Sequence, residues 1–197
     1  GISIGDELAA MHACMGALMA IHARERTGKG QVVDSAIYES VLNMMESLVT
    51  EHHVAGYTRE RTGPIIPNVA PSNIFETSDQ QMILIAANQD GVFSRLCKVM
   101  DRPELSSDER YSTHSARGKN QQELDDLIND WTKTKSLKEV ESLCNENGIP
   151  AGLIYKAKDM IEDPHFKERE AIIDIEHPEF GLIKMQNVAP KLSRNPG

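Results

Sequence analysis

Residues 5–31 read GDELAAMHACMGALMAIHARERTGKGQ, and the spacing within them predicts a helix over residues 6–25. Leu8, Met11, Met15, Leu18, Met19 and His22 recur at i, i+3 and i+4 steps. Ala9, Ala10, Ala13, Gly16, Ala17 and Ala20 fill the intervals, so neighbouring backbones can approach this helix closely from several sides. Arg24 and Arg26 in the last turn suit the negative end of the helix dipole, and Gly28 is placed to stop the helix. Thr27-Gly28-Lys29-Gly30 looks superficially like a phosphate loop. It lacks the required earlier glycine and follows a helix rather than a strand, so it reads as a helix-ending turn.

Asp6 stands at the head of this helix, and two readings apply to it. Asp is a preferred N-cap, and Ser3-Ile4-Gly5-Asp6 fits a loose capping box. Alternatively, the dipole and free amides at a helix N-terminus favour an anion, and a desolvated carboxylate there is a competent nucleophile toward an activated carbonyl. Gly5 beside it permits close approach of a substrate. Glu7 is adjacent, but neighbouring side chains on a helix diverge, which argues against a paired-carboxylate mechanism.

Outward from this helix, Gln31–Asp34 reads as a short strand. Residues 36–51 read as a second helix, with Ile37, Val41, Met44, Met45 and Leu48 on one face. The pattern changes at Gly56. Residues 57–70 carry Gly63, Pro64 and Pro67, show no helical period and read as a linker. Beyond Pro71 the chain becomes α+β. Ile74–Glu76 and Gln81–Ala87 suit a hairpin turning at Thr77–Gln80. Helices are expected near 90–100, 120–132 and 136–147, and strands near Ala151–Ile154, Ala171–Glu176 and Leu182–Gln186. The expected organisation is therefore residues 1–56, a linker at 57–70, a small α/β domain at 71–187 and a return linker at 188–197.

Apolar residues make up 40% of the 197-residue chain, enough for a core. The formal net charge of −9 argues against nucleic acid or an anionic membrane as partner. No apolar run approaches the ~20 residues of a bilayer span, no signal peptide is evident at the start, and the chain begins at Gly1 as if processed or cut. Cys14, Cys97 and Cys144 make no disulfide framework and suit a reducing compartment, so a cytoplasmic location is expected. The seven histidines form no zinc-type spacing, and no metal is expected.

Gly5-Asp6, the small residues from Ala9 to Ala20 and Arg24-x-x-Thr27-Gly28-Lys29-Gly30-Gln31 together resemble the family III CoA-transferases, the CaiB/BaiF family that includes formyl-CoA transferase and α-methylacyl-CoA racemase. The resemblance continues along the chain and covers about half of a family member. It implies an α/β protein in which residues 1–56 belong to a Rossmann-like large domain and the rest forms the small domain. It also implies interlocked homodimers and a chain that is one part of a longer polypeptide and inactive alone. CoA is implied as a substrate rather than a resident cofactor, with an acyl-CoA and a carboxylic acid acceptor as partners.

The resemblance makes Asp6 the catalytic carboxylate. His12, two turns into the same helix, could line the cleft, although a packed, hydrogen-bonded histidine is the plainer reading. Asn68 and Asn73 flank Pro71 in the kinked entry to the small domain, a loop that in transferase members helps to cover the acyl end of the substrate. Asn88 and Gln89 end the strand Ile83–Ala87, which in the family faces the active site. Racemase members carry a Glu at the position of Gln89. An amide cannot exchange a proton at neutral pH, so Gln89 favours a transferase over the alternative of a racemase. The glycine-rich tetrad of formyl-CoA transferases is absent, which leaves longer dicarboxylic or carnitine-like acids open. Arg59, Arg61 and Arg95 are candidate carboxylate partners, with solvated surface as the plainer reading of each. A non-catalytic packing or oligomerisation module is the remaining alternative.

Overall fold

The computed structural model describes residues 1–195. Of the expected return linker, Pro196 and Gly197 lie outside the described residues. The chain divides into two compact units, Gly1–Arg61 and Thr62–Gly197.

The first unit is helical. α1 spans Ile4–Thr27 and stops where Gly28 takes a left-handed φ of 69° and donates its amide to the Arg24 carbonyl at 2.8 Å. The expected strand at Gln31–Asp34 has no ladder partner among the described residues. This segment instead runs extended along α1. A Cβ at Gly16 would lie 2.6 Å from Val33 Cγ1, and one at Gly5 would lie 3.0 Å from Ile37 Cγ2. Ser35 Oγ donates to the Ala9 carbonyl at 3.0 Å. Gly5, Ala9 and Gly16 share one helix face, and that face receives the returning chain. The expected helix over 36–51 is broken into α2, Ile37–Asn43, and α3, Leu48–Ala55. Glu46 interrupts it with a φ of 53°. The Arg59 guanidinium holds the break together by donating to Glu46, Ser47 and Glu51.

No residue of α1 is buried, and Met11, Leu18 and Met19 are each at least 60% exposed. The helix is apolar on every side. By length and composition it could cross a bilayer, which corrects the expectation that no segment qualifies. A helix of this kind is either buried in a larger protein or placed in a membrane.

The second unit is built on a three-stranded antiparallel sheet in the order β1 (Ser72–Glu76), β2 (Met82–Ala86), β3 (Ala151–Leu153). On β2, Ile83 and Ile85 point into the core while Met82 and Leu84 face outward, the period-2 alternation of a half-buried strand. Three amphipathic helices cover the inner face. α4 (Asp90–Val99) contributes Phe93, Leu96 and Cys97, α6 (Gln121–Thr132) contributes Leu124 and Ile128, and α7 (Leu137–Glu146) contributes Val140 and Cys144. α7 begins with a capping box in which Ser136 and Glu139 satisfy each other's backbone amides.

Three short helices were not anticipated. α5 (His114–Lys119) is capped by Thr113, α8 spans Ala157–Glu162, and α9 (Pro164–Glu168) starts with proline after Asp163, whose carboxylate accepts from two amides. A hairpin of β4 (Ile172–His177) and β5 (Gly181–Gln186) completes the unit.

Candidate functional site

In the first unit, Asp6 is the third residue of α1 rather than its cap. Ser3 occupies the N-cap position and forms no side-chain capping bond, so the capping box is not made. Asp6 is exposed, and among the described residues its carboxylate has no hydrogen-bond or ion-pair partner. A Cβ at Gly5 would press against Ile37 Cγ2 at 3.0 Å, so the lack of a side chain there serves helix packing first. His12 bonds through Nδ1 to the Leu8 carbonyl one turn earlier, at 2.8 Å, and is half-buried. The carbonyl can only accept, so Nδ1 carries the proton.

In the second unit, the turn from β2 into α4 is fixed from behind by Arg117, a residue that sequence reasoning missed. Its side chain is fully buried. Nε donates to the Ala70 carbonyl at 3.1 Å, Nη1 to the Tyr111 carbonyl at 2.9 Å, and Nη2 to the Asn88 carbonyl at 2.8 Å and to Asp90 Oδ1 at 2.6 Å. The guanidinium also stacks on Phe93, 4.7 Å from the ring centre. His114 Nδ1 donates to the same Asn88 carbonyl at 3.1 Å. Two side chains thus converge on one backbone oxygen at the strand end. Asn88, Gln89, Asp90 and His114 line an open depression of about 380 Å³ there. The Arg117 hydrogen bond is the main cause that holds the Asp90 carboxyl below the usual carboxylate range.

The entry loop is clamped by the same helices. Asn68 has a φ of 66° and donates its amide to Gln121 Oε1 at 3.2 Å, and Gln121 Nε2 donates back to the Ile66 and Val69 carbonyls at 3.3 Å. Gly118 lets this loop approach, since a Cβ there would lie 2.5 Å from the Asn68 carbonyl oxygen. Asn73 differs from the other asparagines. It sits on β1 and its Nδ2 donates to Asp125 Oδ2 at 3.0 Å, so its amide serves the fold. Burial pushes Asp125 up to about 6. The structure therefore groups Asn88, Gln89, Asp90 and His114 at one turn, and places Asn68 on a separate loop that shares the α5–α6 support.

Two of the three arginine candidates are committed elsewhere, and Arg61 is exposed. Arg59 is paired with Glu46 and Glu51. Arg95 donates to the carbonyls of Gly91, Asn147 and Gly148. No cluster of three or more His, Cys, Asp or Glu side chains among the described residues is arranged to hold a metal.

The sequence profile of CoA-transferase family III matches residues 1–197. The chain belongs to that family. It is 54% identical over 197 residues to the succinyl-CoA–D-citramalate CoA-transferase of Chloroflexus aurantiacus, covering 100% of this chain and 49% of that protein. It is 35% identical over 178 residues to the succinyl-CoA:mesaconate CoA-transferase of Haloarcula hispanica, covering 90% of this chain and 44% of that one. The crystal structure of a CaiB/BaiF family protein from Brucella suis superimposes with a TM-score of 0.73 at 29% identity, over 93% of this chain and 51% of that one. The chain spans about half the length of the family members it matches.

Proposed function

We propose that residues 1–197 act within a CoA-transferase of the length of its relatives, moving CoA between dicarboxylic acids through a covalent intermediate on Asp6. The observation that carries this reading is the place of Asp6. Within a chain that matches the family throughout, its carboxylate is exposed in the first turn of a 24-residue helix and has no partner among the described residues. The apolar flanks of α1 support the longer polypeptide, because such a helix needs cover on all sides. In this reading they pack against the rest of a homodimeric enzyme rather than against lipid, and the enzyme is cytoplasmic. The buried thiols of Cys97 and Cys144 are unpaired, as that location requires.

In the proposed chemistry, an Asp6 oxygen attacks the thioester carbonyl, the C–S bond breaks, and a mixed anhydride and CoA thiolate result. The thiolate attacks the Asp6 carbonyl carbon, releasing the donor acid and leaving an aspartyl-CoA thioester. An acceptor carboxylate displaces the thiolate to form a second mixed anhydride. The thiolate then takes the acceptor's acyl group, and the Asp6 carboxylate is restored. CoA is consumed and regenerated as substrate, with no resident cofactor. In the second unit, Asn88 and Gln89 are proposed as substrate-binding residues. The similarity to the citramalate and mesaconate enzymes makes succinyl-CoA the proposed donor and a C4 or C5 dicarboxylic acid the acceptor.

The test is chemical trapping. An enzyme of full relatives' length, incubated with succinyl-CoA and hydroxylamine, should acquire a hydroxamate at Asp6, located by peptide mass. Asp6→Asn should lose both the adduct and turnover. A hydroxamate on another residue, or full turnover by Asp6→Asn, would remove Asp6 from the reaction.

A further inference from the structure

Resting on the transferase reading, we propose that His114 and Gln89 are specificity-determining residues that bind the free carboxylate of a dicarboxylic substrate. A dicarboxylic acid joined to CoA through one carboxyl keeps the other, and that charge must meet a donor. Neither Arg95 nor Arg117 supplies it at this turn. Arg95 is turned onto three backbone carbonyls, and Arg117 is fully buried beneath the turn, where it donates to three carbonyls and Asp90. The carboxylate at the rim, Asp90, is already paired with Arg117.

What remains at the rim is His114. Its Nδ1 is fixed on the Asn88 carbonyl, and Nε2 has no partner among the described residues. A hydrogen bond through one nitrogen sets both the tautomer and the orientation of an imidazole. In its charged form the ring carries a hydrogen on each nitrogen, and Nε2–H is then a charge-assisted donor to a carboxylate. The charged groups beside it are Asp90 and Arg117, which neutralise each other. Gln89 adds an amide donor on the same depression, and its side chain is exposed. The turn that carries both is pre-organised by Arg117, so little ordering is needed on binding.

Two measurements test this. In an enzyme of full relatives' length, titration with succinate should shift the His114 ring resonances, whereas butyrate of the same chain length should not. His114→Leu should lower the ratio of kcat/KM for a dicarboxylic over a monocarboxylic acceptor at least tenfold, and His114→Gln, which keeps an N–H donor, should recover part of it. A thermal unfolding midpoint within a few degrees of the parent confirms that each variant is folded. Equal response of the ring to both acids, or a ratio unchanged by His114→Leu, overturns the proposal. Failure of the transferase reading shows separately, as absence of CoA transfer by the unmodified enzyme, and the ring titration still decides whether His114 binds dicarboxylates.

Discussion

Arg117 and Asn88 are 29 residues apart in sequence and share a 2.8 Å hydrogen bond from a fully buried guanidinium to a backbone carbonyl. Three carbonyls from separate segments, at Ala70, Asn88 and Tyr111, meet on that one side chain. It ties the entry loop, the β2–α4 turn and the approach to α5 into one body. The candidate site in the second unit is therefore mounted on rigid structure although its own residues lie in a turn.

Removing the guanidinium should be costly. Arg117→Leu strands those three carbonyls, and a buried acceptor left without its donor costs about 1–3 kcal/mol. Arg117→Lys recovers only part of this, because one ammonium cannot reproduce a planar fork. Urea unfolding measures both, and midpoints unchanged from the parent would show that the clamp is dispensable. Asp90→Asn should be milder. The Asp90 carboxyl is held low by Arg117, so its contribution is present at neutral pH and disappears as pH falls through the lowered folded value.

Asp125 gives the opposite sign. Its folded value of about 6 lies above the ordinary aspartate value, and Oδ1 is buried without a partner. The folded state holds the proton more tightly than the unfolded chain, so unfolding free energy should fall between about pH 4 and pH 6 and then level off. The size is on the order of 2–3 kcal/mol. Asp125→Asn should flatten that slope, as read from urea midpoints at several pH values. A parent protein whose stability is level across this window would contradict the assignment.

The contrast between what was legible in the sequence and what was not follows the range of the forces. α4, α6 and α7 announce themselves through apolar periodicity, α1 through its long run of small and apolar residues and its stop at Gly28, and the β1–β2 hairpin through its turn. Arg117 was invisible because its neighbours, His114-Ser115-Ala116-Arg117-Gly118-Lys119, are those of a solvated helix. Its burial is decided by carbonyls up to 47 residues away. The break at Glu46 was missed for the same reason, since the side chain that bonds it, Arg59, lies 13 residues downstream. Asp6 was singled out by resemblance, while periodicity alone favoured the cap that Ser3 occupies.

Gly118 and the entry loop make a further prediction. A Cβ at residue 118 would lie 2.5 Å from the Asn68 carbonyl oxygen, a backbone atom that cannot swing aside. Gly118→Ala should cost about 1–3 kcal/mol by overpacking and release residues 66–70 from α5. Limited proteolysis of the parent should cut first in the exposed stretch from Tyr57 to Gly63, and the variant should gain cuts near Asn68. An identical cleavage pattern in the two proteins would mean that the loop is held elsewhere.

On the proposed reading, Gln89 separates transfer from racemisation. It lies at the N-cap of α4 beside Asn88, the position at which the family resemblance implies a Glu in racemases. A racemase must remove and return the proton next to the thioester carbonyl, which needs a group that titrates near neutral pH, and an amide has no such equilibrium. In an enzyme of full relatives' length, a 2-methylacyl-CoA incubated in deuterium oxide should keep its α-hydrogen over many transferase turnover times, as followed by mass spectrometry. Gln89→Glu supplies the missing acid–base group and should permit slow wash-in of deuterium where the parent shows none. Rapid exchange by the parent, without movement of CoA to an acceptor acid, would reverse the assignment and make proton transfer the reaction.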